Sequence, residues 1–76
     1  MELKSFIDNF AAQFDETDAN VFTADTQFRE IEEWSSLVGL SIIAMVDEEY
    51  DVTLKGDMLR KCNTVGELFE MVKSLQ

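Results

Sequence analysis

Residues 34–51 read Trp34-Ser35-Ser36-Leu37-Val38-Gly39-Leu40-Ser41-Ile42-Ile43-Ala44-Met45-Val46-Asp47-Glu48-Glu49-Tyr50-Asp51. Two serines, good helix-starting residues, are followed by two apolar turns and then a burst of carboxylates. The pattern predicts a helix from Ser36 to about Tyr50. Projected at about 100° per residue, Gly39, Ile42, Ile43, Val46 and Tyr50 share one face, the expected core side. Leu37, Leu40, Ser41, Ala44, Asp47 and Glu48 share a nearly opposite face, which reads as a partner-docking surface unless the preceding loop covers its leucines.

Working toward the N-terminus, no helical period survives between Asp15 and Ser35. A connection of about 20 residues is uncommon in so small a domain. Val21, Phe22, Phe28, Ile31 and Trp34 are spaced as anchors, so the loop is expected to be pinned to the core, with a helical turn of its own. Before it, Leu3, Phe6, Ile7, Phe10, Ala11 and Phe14 follow helical spacing and predict a first helix over about residues 2–15.

Toward the C-terminus, Thr53 to Lys55 is a short connection. Gly56 is expected to turn the chain into a short helix at about Asp57 to Lys61. Cys62 reads as a small buried or half-buried apolar residue. Thr64 is a predicted N-cap, and Glu67 three residues later completes a capping box. The final stripe is Val65, Leu68, Phe69, Val72 and Leu75. Neither strand alternation nor internal repeats are found, and the chain lacks proline. The expected fold is all-α: a small four-helix bundle with three longer helices, a short third helix and a long loop between the first two. Residues 1–76 read as a single domain.

Composition narrows the function. The chain has 76 residues, one cysteine and no histidine, so an internal disulfide, a Cys/His zinc site and a Ser-His-Asp or Cys-His catalytic group are excluded. A hydrophobic content of 46% suffices for a folded core, and 16 acids against 6 bases give a formal charge of -10. Such a surface repels nucleic acid and anionic membrane and attracts basic proteins. No stretch approaches the roughly 20 apolar residues of a membrane span. The N-terminus enters an amphipathic pattern without a signal peptide, so a cytoplasmic monomer is expected.

At the head of the second helix, Ser35 as cap leaves Ser36 as the first helical residue with its hydroxyl toward solvent. A phosphate there would meet unpaired backbone N–H groups and the positive end of the helix dipole, a stabilisation of about 0.3 to 1 kcal/mol. Two serines as alternative caps is the competing local reading.

The whole arrangement resembles the acyl carrier proteins. Ser36-Leu37 is similar to their modified serine followed by leucine, and Asp47-Glu48-Glu49-Tyr50-Asp51 to the acidic run and aromatic residue closing their second helix. The Phe-rich first helix, long loop, short third helix and last amphipathic helix extend the likeness over essentially the whole chain. The resemblance implies a carrier, not an enzyme. Ser36 would receive a 4'-phosphopantetheine arm from coenzyme A through a separate phosphopantetheinyl transferase, and the arm's thiol would hold acyl groups as thioesters.

Docking to synthases or ligases with basic patches would fall to Leu37, Val38, Leu40, Ser41, Ala44, Asp47 and Glu48, the acids chiefly steering encounter. No metal is implied. Ser35 and Trp34 stand where the family commonly has Asp and, a little earlier, Gly; Val38 and Ser41 replace frequent acids. These departures suggest a specialised carrier in fatty acid, polyketide or related biosynthesis. Ile42, Ile43, Val46, Leu68 and Val72 could line a shelter for an acyl chain, at about 0.8 kcal/mol per buried methylene.

Other classes fit less well. The main alternative is an unmodified acidic helical interaction module of carrier-like fold, anchored by Trp34, Leu37 and Val38. An EF-hand needs glycine at its sixth loop position, which is Val52 counting from Asp47 and Asn20 counting from Asp15. A nucleic-acid mimic is permitted by composition but not asked for by spacing. An enzyme with its own active site lacks any base other than carboxylate, and any Gly-rich phosphate loop.

Overall fold

The computed structural model describes residues 2–76. Its helices are α1 (Leu3–Ala11), α2 (Ser36–Tyr50), α3 (Gly56–Lys61) and α4 (Val65–Leu75), with single 3-10 turns at Ala19–Val21 and Phe28–Glu30 in the long loop. No strand forms among the described residues. One isolated antiparallel bridge joins Gln27 to Thr64. α1 packs on α2 and α4, and α2 packs also on α3. The all-α four-helix fold expected from the sequence is the observed one.

α1 is shorter than its apolar spacing predicts. It ends at Ala11, and the next amides tighten to three-residue bonds, Gln13 N–H to Phe10 O at 3.1 Å and Phe14 N–H to Ala11 O at 3.0 Å. Gln13 Nε2 donates back to Asn9 O at 3.1 Å. The tighter turn swings Phe14 inward, where it is buried, so its helical spacing reflected burial without helix. α2 keeps the predicted bounds. It closes on Asp51, whose left-handed backbone (φ 55°, ψ 41°) lets its N–H reach Asp47 O at 3.0 Å.

Gly56 does not make the expected turn. It is the first residue of α3 and has no positive φ. At α4 the capping box is present: Thr64 Oγ1 accepts from Glu67 N–H at 3.1 Å, and Glu67 Oε1 accepts from Thr64 N–H at 3.1 Å. Removing such a cap costs about 1 kcal/mol.

The core is wholly apolar. Phe6, Phe10, Phe28, Ile42, Val46, Val65, Leu68 and Val72 are 0% exposed, and no polar or charged side chain is buried among the described residues. Cys62 belongs to this interior, its thiol donating weakly to Met58 O at 3.6 Å. The core face of α2 is rotated from the predicted one toward Met45, which is buried, whereas Ile43 and Tyr50 are half-buried. α1 approaches α2 from that side. Tyr50 at the margin packs at a tilt on Phe6, centroids 5.6 Å apart, and accepts a bond from Asn9 Nδ2 at 2.9 Å.

The long loop is fastened at several points. Phe22, Phe28 and Trp34 join Phe10 and Phe14 in one aromatic cluster with centroid separations of 4.8 to 6.3 Å. Val21, expected as an anchor, is 49% exposed, because the bond from Thr26 Oγ1 to Val21 O holds the backbone while the side chain faces water. Val65 N–H donates to Thr26 O at 3.1 Å and Gly66 N–H to Ala24 O at 2.8 Å, tying the loop to the head of α4.

Candidate functional site

Ser35 adopts extended backbone (φ -156°, ψ 171°), and its Oγ accepts from Val38 N–H at 3.3 Å. That bond starts α2 at Ser36, whose side chain is exposed and has no hydrogen-bond partner among the described residues. An exposed hydroxyl at a first helical turn lies beside amides with no intrahelical partner, a setting that favours an attached anion.

Ser36 borders a groove of about 400 Å³ between α2, α3 and the end of the loop. Its walls are largely apolar: Trp34 on the loop, Gly39, Leu40 and Ile43 on α2, and Leu59 on α3. Gly39 keeps this side of α2 flat, and a Cβ there would reach van der Waals contact with Leu59 at 3.5 Å and Trp34 at 3.6 Å. Trp34 is held in turn by Phe28 at 5.1 Å and Phe14 at 6.3 Å. The remaining lining is Gly56 with the two arginines, Arg29 and Arg60.

Arg29 is committed to the fold. Nη1 donates to Cys62 O at 2.6 Å and Leu59 O at 3.3 Å, and Nη2 donates to Asn63 Oδ1. The guanidinium thereby closes the end of α3 and couples it to the loop, a role no periodic pattern announces. Arg60 is exposed, and none of its side-chain nitrogens bonds a described residue.

The residues that the sequence grouped as one docking face are divided by the structure. Leu40 joins Ser36 at the groove. Ser41, Ala44 and Glu48 border a different recess, toward α1, with Asn9, Ala12 and Gln13. Leu37 projects outward between the two, 74% exposed, and Leu40 is 62% exposed, so the loop covers neither leucine. Val38 is half-buried against the core, Asp47 and Glu48 are exposed, and Ser41 Oγ donates to Leu37 O at 3.3 Å. Of the five residues expected to line an acyl shelter, Ile42, Val46, Leu68 and Val72 are sealed in the core and only Ile43 reaches the groove.

Sequence reasoning did not pick out Arg29, Arg60, Gly56 or Leu59 as site residues. It also missed Glu33, whose carboxylate accepts from Asp15 N–H at 2.8 Å, Glu16 N–H at 3.1 Å and Thr17 Oγ1 at 2.7 Å. The Thr17 hydroxyl, helped by these amides and opposed by partial burial, holds that carboxyl below its usual value. Burial and the nearby Glu67 charge push the Cys62 thiol up, against the pull of Arg29.

Four helices in this order are consistent with a small carrier-type domain. The family model for the phosphopantetheine attachment site matches residues 6–72, and the chain belongs to that family. Its members carry a covalently attached 4'-phosphopantetheine, so the chain has a phosphopantetheine-carrier role, working with partner enzymes. The exposed, unbonded Ser36 hydroxyl at a helix head fits such a group. No curated protein and no solved structure matched the chain. Among the described residues, no helix is long and apolar enough to cross a membrane.

Proposed function

We propose that Ser36 Oγ is the point of attachment and that residues 1–76 form a single non-catalytic carrier domain. The exposure of this hydroxyl at the first residue of α2, inside the matched region, carries the reading. A transferase would deprotonate Ser36, whose oxygen then attacks the pyrophosphate of coenzyme A. A phosphodiester forms and the adenosine bisphosphate leaves. The cap bond from Val38 N–H goes to Ser35 Oγ and not to Ser36, so attachment at Ser36 does not require breaking it. The terminal thiol of the bound group supplies the thioester linkage to cargo.

Leu37, Val38, Leu40, Ser41, Ala44, Asp47 and Glu48 are the proposed docking residues. The exposed leucines offer apolar contact, and the acids meet basic patches on the transferase and on synthases or ligases. A specialised pathway in the cytoplasm, making fatty acids, polyketides or related products, fits the apolar head of α2.

Incubation with coenzyme A and a broad-specificity transferase, followed by intact-mass measurement, tests the assignment. One phosphopantetheine adduct on the wild type and none on Ser36→Ala is the expected result. An unmodified wild type, or an adduct that survives in the variant, would refute it.

A further inference from the structure

Arg60 stands out in a chain of formal charge -10. The ion pair found among the described residues is Lys4–Asp8, far from it in sequence, and no carboxylate lies within 4.0 Å of Arg60. Its partner in the groove, Arg29, is held to the fold by three bonds, to Leu59 O, Cys62 O and Asn63 Oδ1. The groove therefore joins apolar walls from Trp34, Leu40, Ile43 and Leu59 to two guanidinium groups with no ion-pair partner among the described residues, of which Arg60 is the one whose side chain makes no hydrogen bond, with Ser36 on the same rim.

We propose that this groove receives acyl cargo ending in a carboxylate, with Arg60 as the residue that selects it. The inference rests on Ser36 being the attachment point. A tethered cargo meets the groove at an effective concentration in the millimolar range, so weak contacts suffice to populate the bound form. An alkyl chain covers the indole and the aliphatic walls but leaves the guanidinium without a partner. A dicarboxylic chain uses both, its methylenes against Trp34 and Ile43 and its free carboxylate on Arg60. The surrounding acids repel such a cargo from much of the surface, and Arg60 is the exposed cation that borders the apolar walls.

Trp34 is the only tryptophan, and it lines the groove, so its emission reports occupancy directly. Glutaryl- and pentanoyl-coenzyme A, both five-carbon acyl donors, are used with a broad-specificity transferase to load wild type and Arg60→Gln chains, with Ser36→Ala as the unloaded control. The unacylated arm serves as reference, and intact mass verifies each loading. The glutaryl form of the wild type is expected to shift Trp34 emission more than the pentanoyl form. In Arg60→Gln the glutaryl shift should fall to the pentanoyl level, an occupancy loss of roughly two- to fivefold, the range of a solvent-exposed ion pair.

Equal shifts for the two cargoes in the wild type would overturn the proposal, as would a glutaryl shift unchanged by Arg60→Gln. A change in Arg60→Gln already complete with the unacylated arm would overturn it too, assigning Arg60 to the phosphodiester. Absence of any adduct on the wild type removes the attachment reading as well, and the mass spectrum alone distinguishes that failure from the others.

Discussion

Glu33 turns a run of acidic loop residues into an ordered connection. Its two oxygens receive the amides of Asp15 and Glu16 and the hydroxyl of Thr17, donors that would otherwise point at water. Because these bonds favour the charged form, the folded-state value lies below the usual carboxylate value of 4.5. A depressed carboxyl contributes stability in full above its unfolded value and loses it as pH falls through the folded one. Protection of the Asp15 and Glu16 amides, taken relative to their intrinsic exchange rates at each pH, should therefore fall as pH drops below about 4.5, while α4 amides stay protected; in Glu33→Gln the acid-induced step should vanish. Ser35 and Ser36 show the same economy. One caps, and its neighbour is left free.

At the scale of elements, Gly66 sits where α4 meets the loop. A Cβ at this position would lie 3.0 Å from Ala24 O and 3.3 Å from Ala24 Cβ, tighter than ordinary contact. The loop cannot simply yield, since Gly66 N–H and Val65 N–H both hold it. Gly66→Ala should destabilise the fold by about 1 kcal/mol in urea unfolding despite alanine's better helix propensity. Helices of this chain were legible where local chemistry marks them. The serine pair and the apolar run gave the bounds of α2, and Thr64 with Glu67 gave the start of α4. Less legible was how each helix is rotated. Periodicity orders residues around an axis but does not reveal where neighbours lie, so Met45 was missed and Tyr50 was placed too deep. Arg29 and Glu33 were missed for a related reason, because they act between segments distant in sequence. Phe14 misled by keeping helical spacing beyond the end of α1.

Across the whole molecule, charge is unevenly spread. Lys55, Arg60 and Lys61 lie at or on α3, whereas α2 carries Asp47, Glu48 and Glu49 and no base. A basic partner is therefore drawn to the side of α2 and turned away from α3, which orients encounter before contact. Stopped-flow association with a phosphopantetheinyl transferase should slow as ionic strength rises, and Asp47→Asn with Glu48→Gln should flatten that dependence without changing the melting temperature appreciably. A salt-independent rate would argue against steering by these acids. The four-helix architecture and the candidate serine could be anticipated from the sequence. The groove could not, since its walls come from the loop, α2 and α3, and its cation from a helix too short to show a pattern.

The buried thiol of Cys62 gives the proposed carrier an unplanned convenience. Enclosed in the core and held protonated by burial and by Glu67, it is a poor nucleophile in the folded chain. The thiol at the end of a mobile arm would then be the one reactive thiol on the molecule. Maleimide dyes and thiol crosslinkers would address the arm selectively, and the chain would not trap its own arm as an internal disulfide. The native cysteine could stay in place during such chemistry.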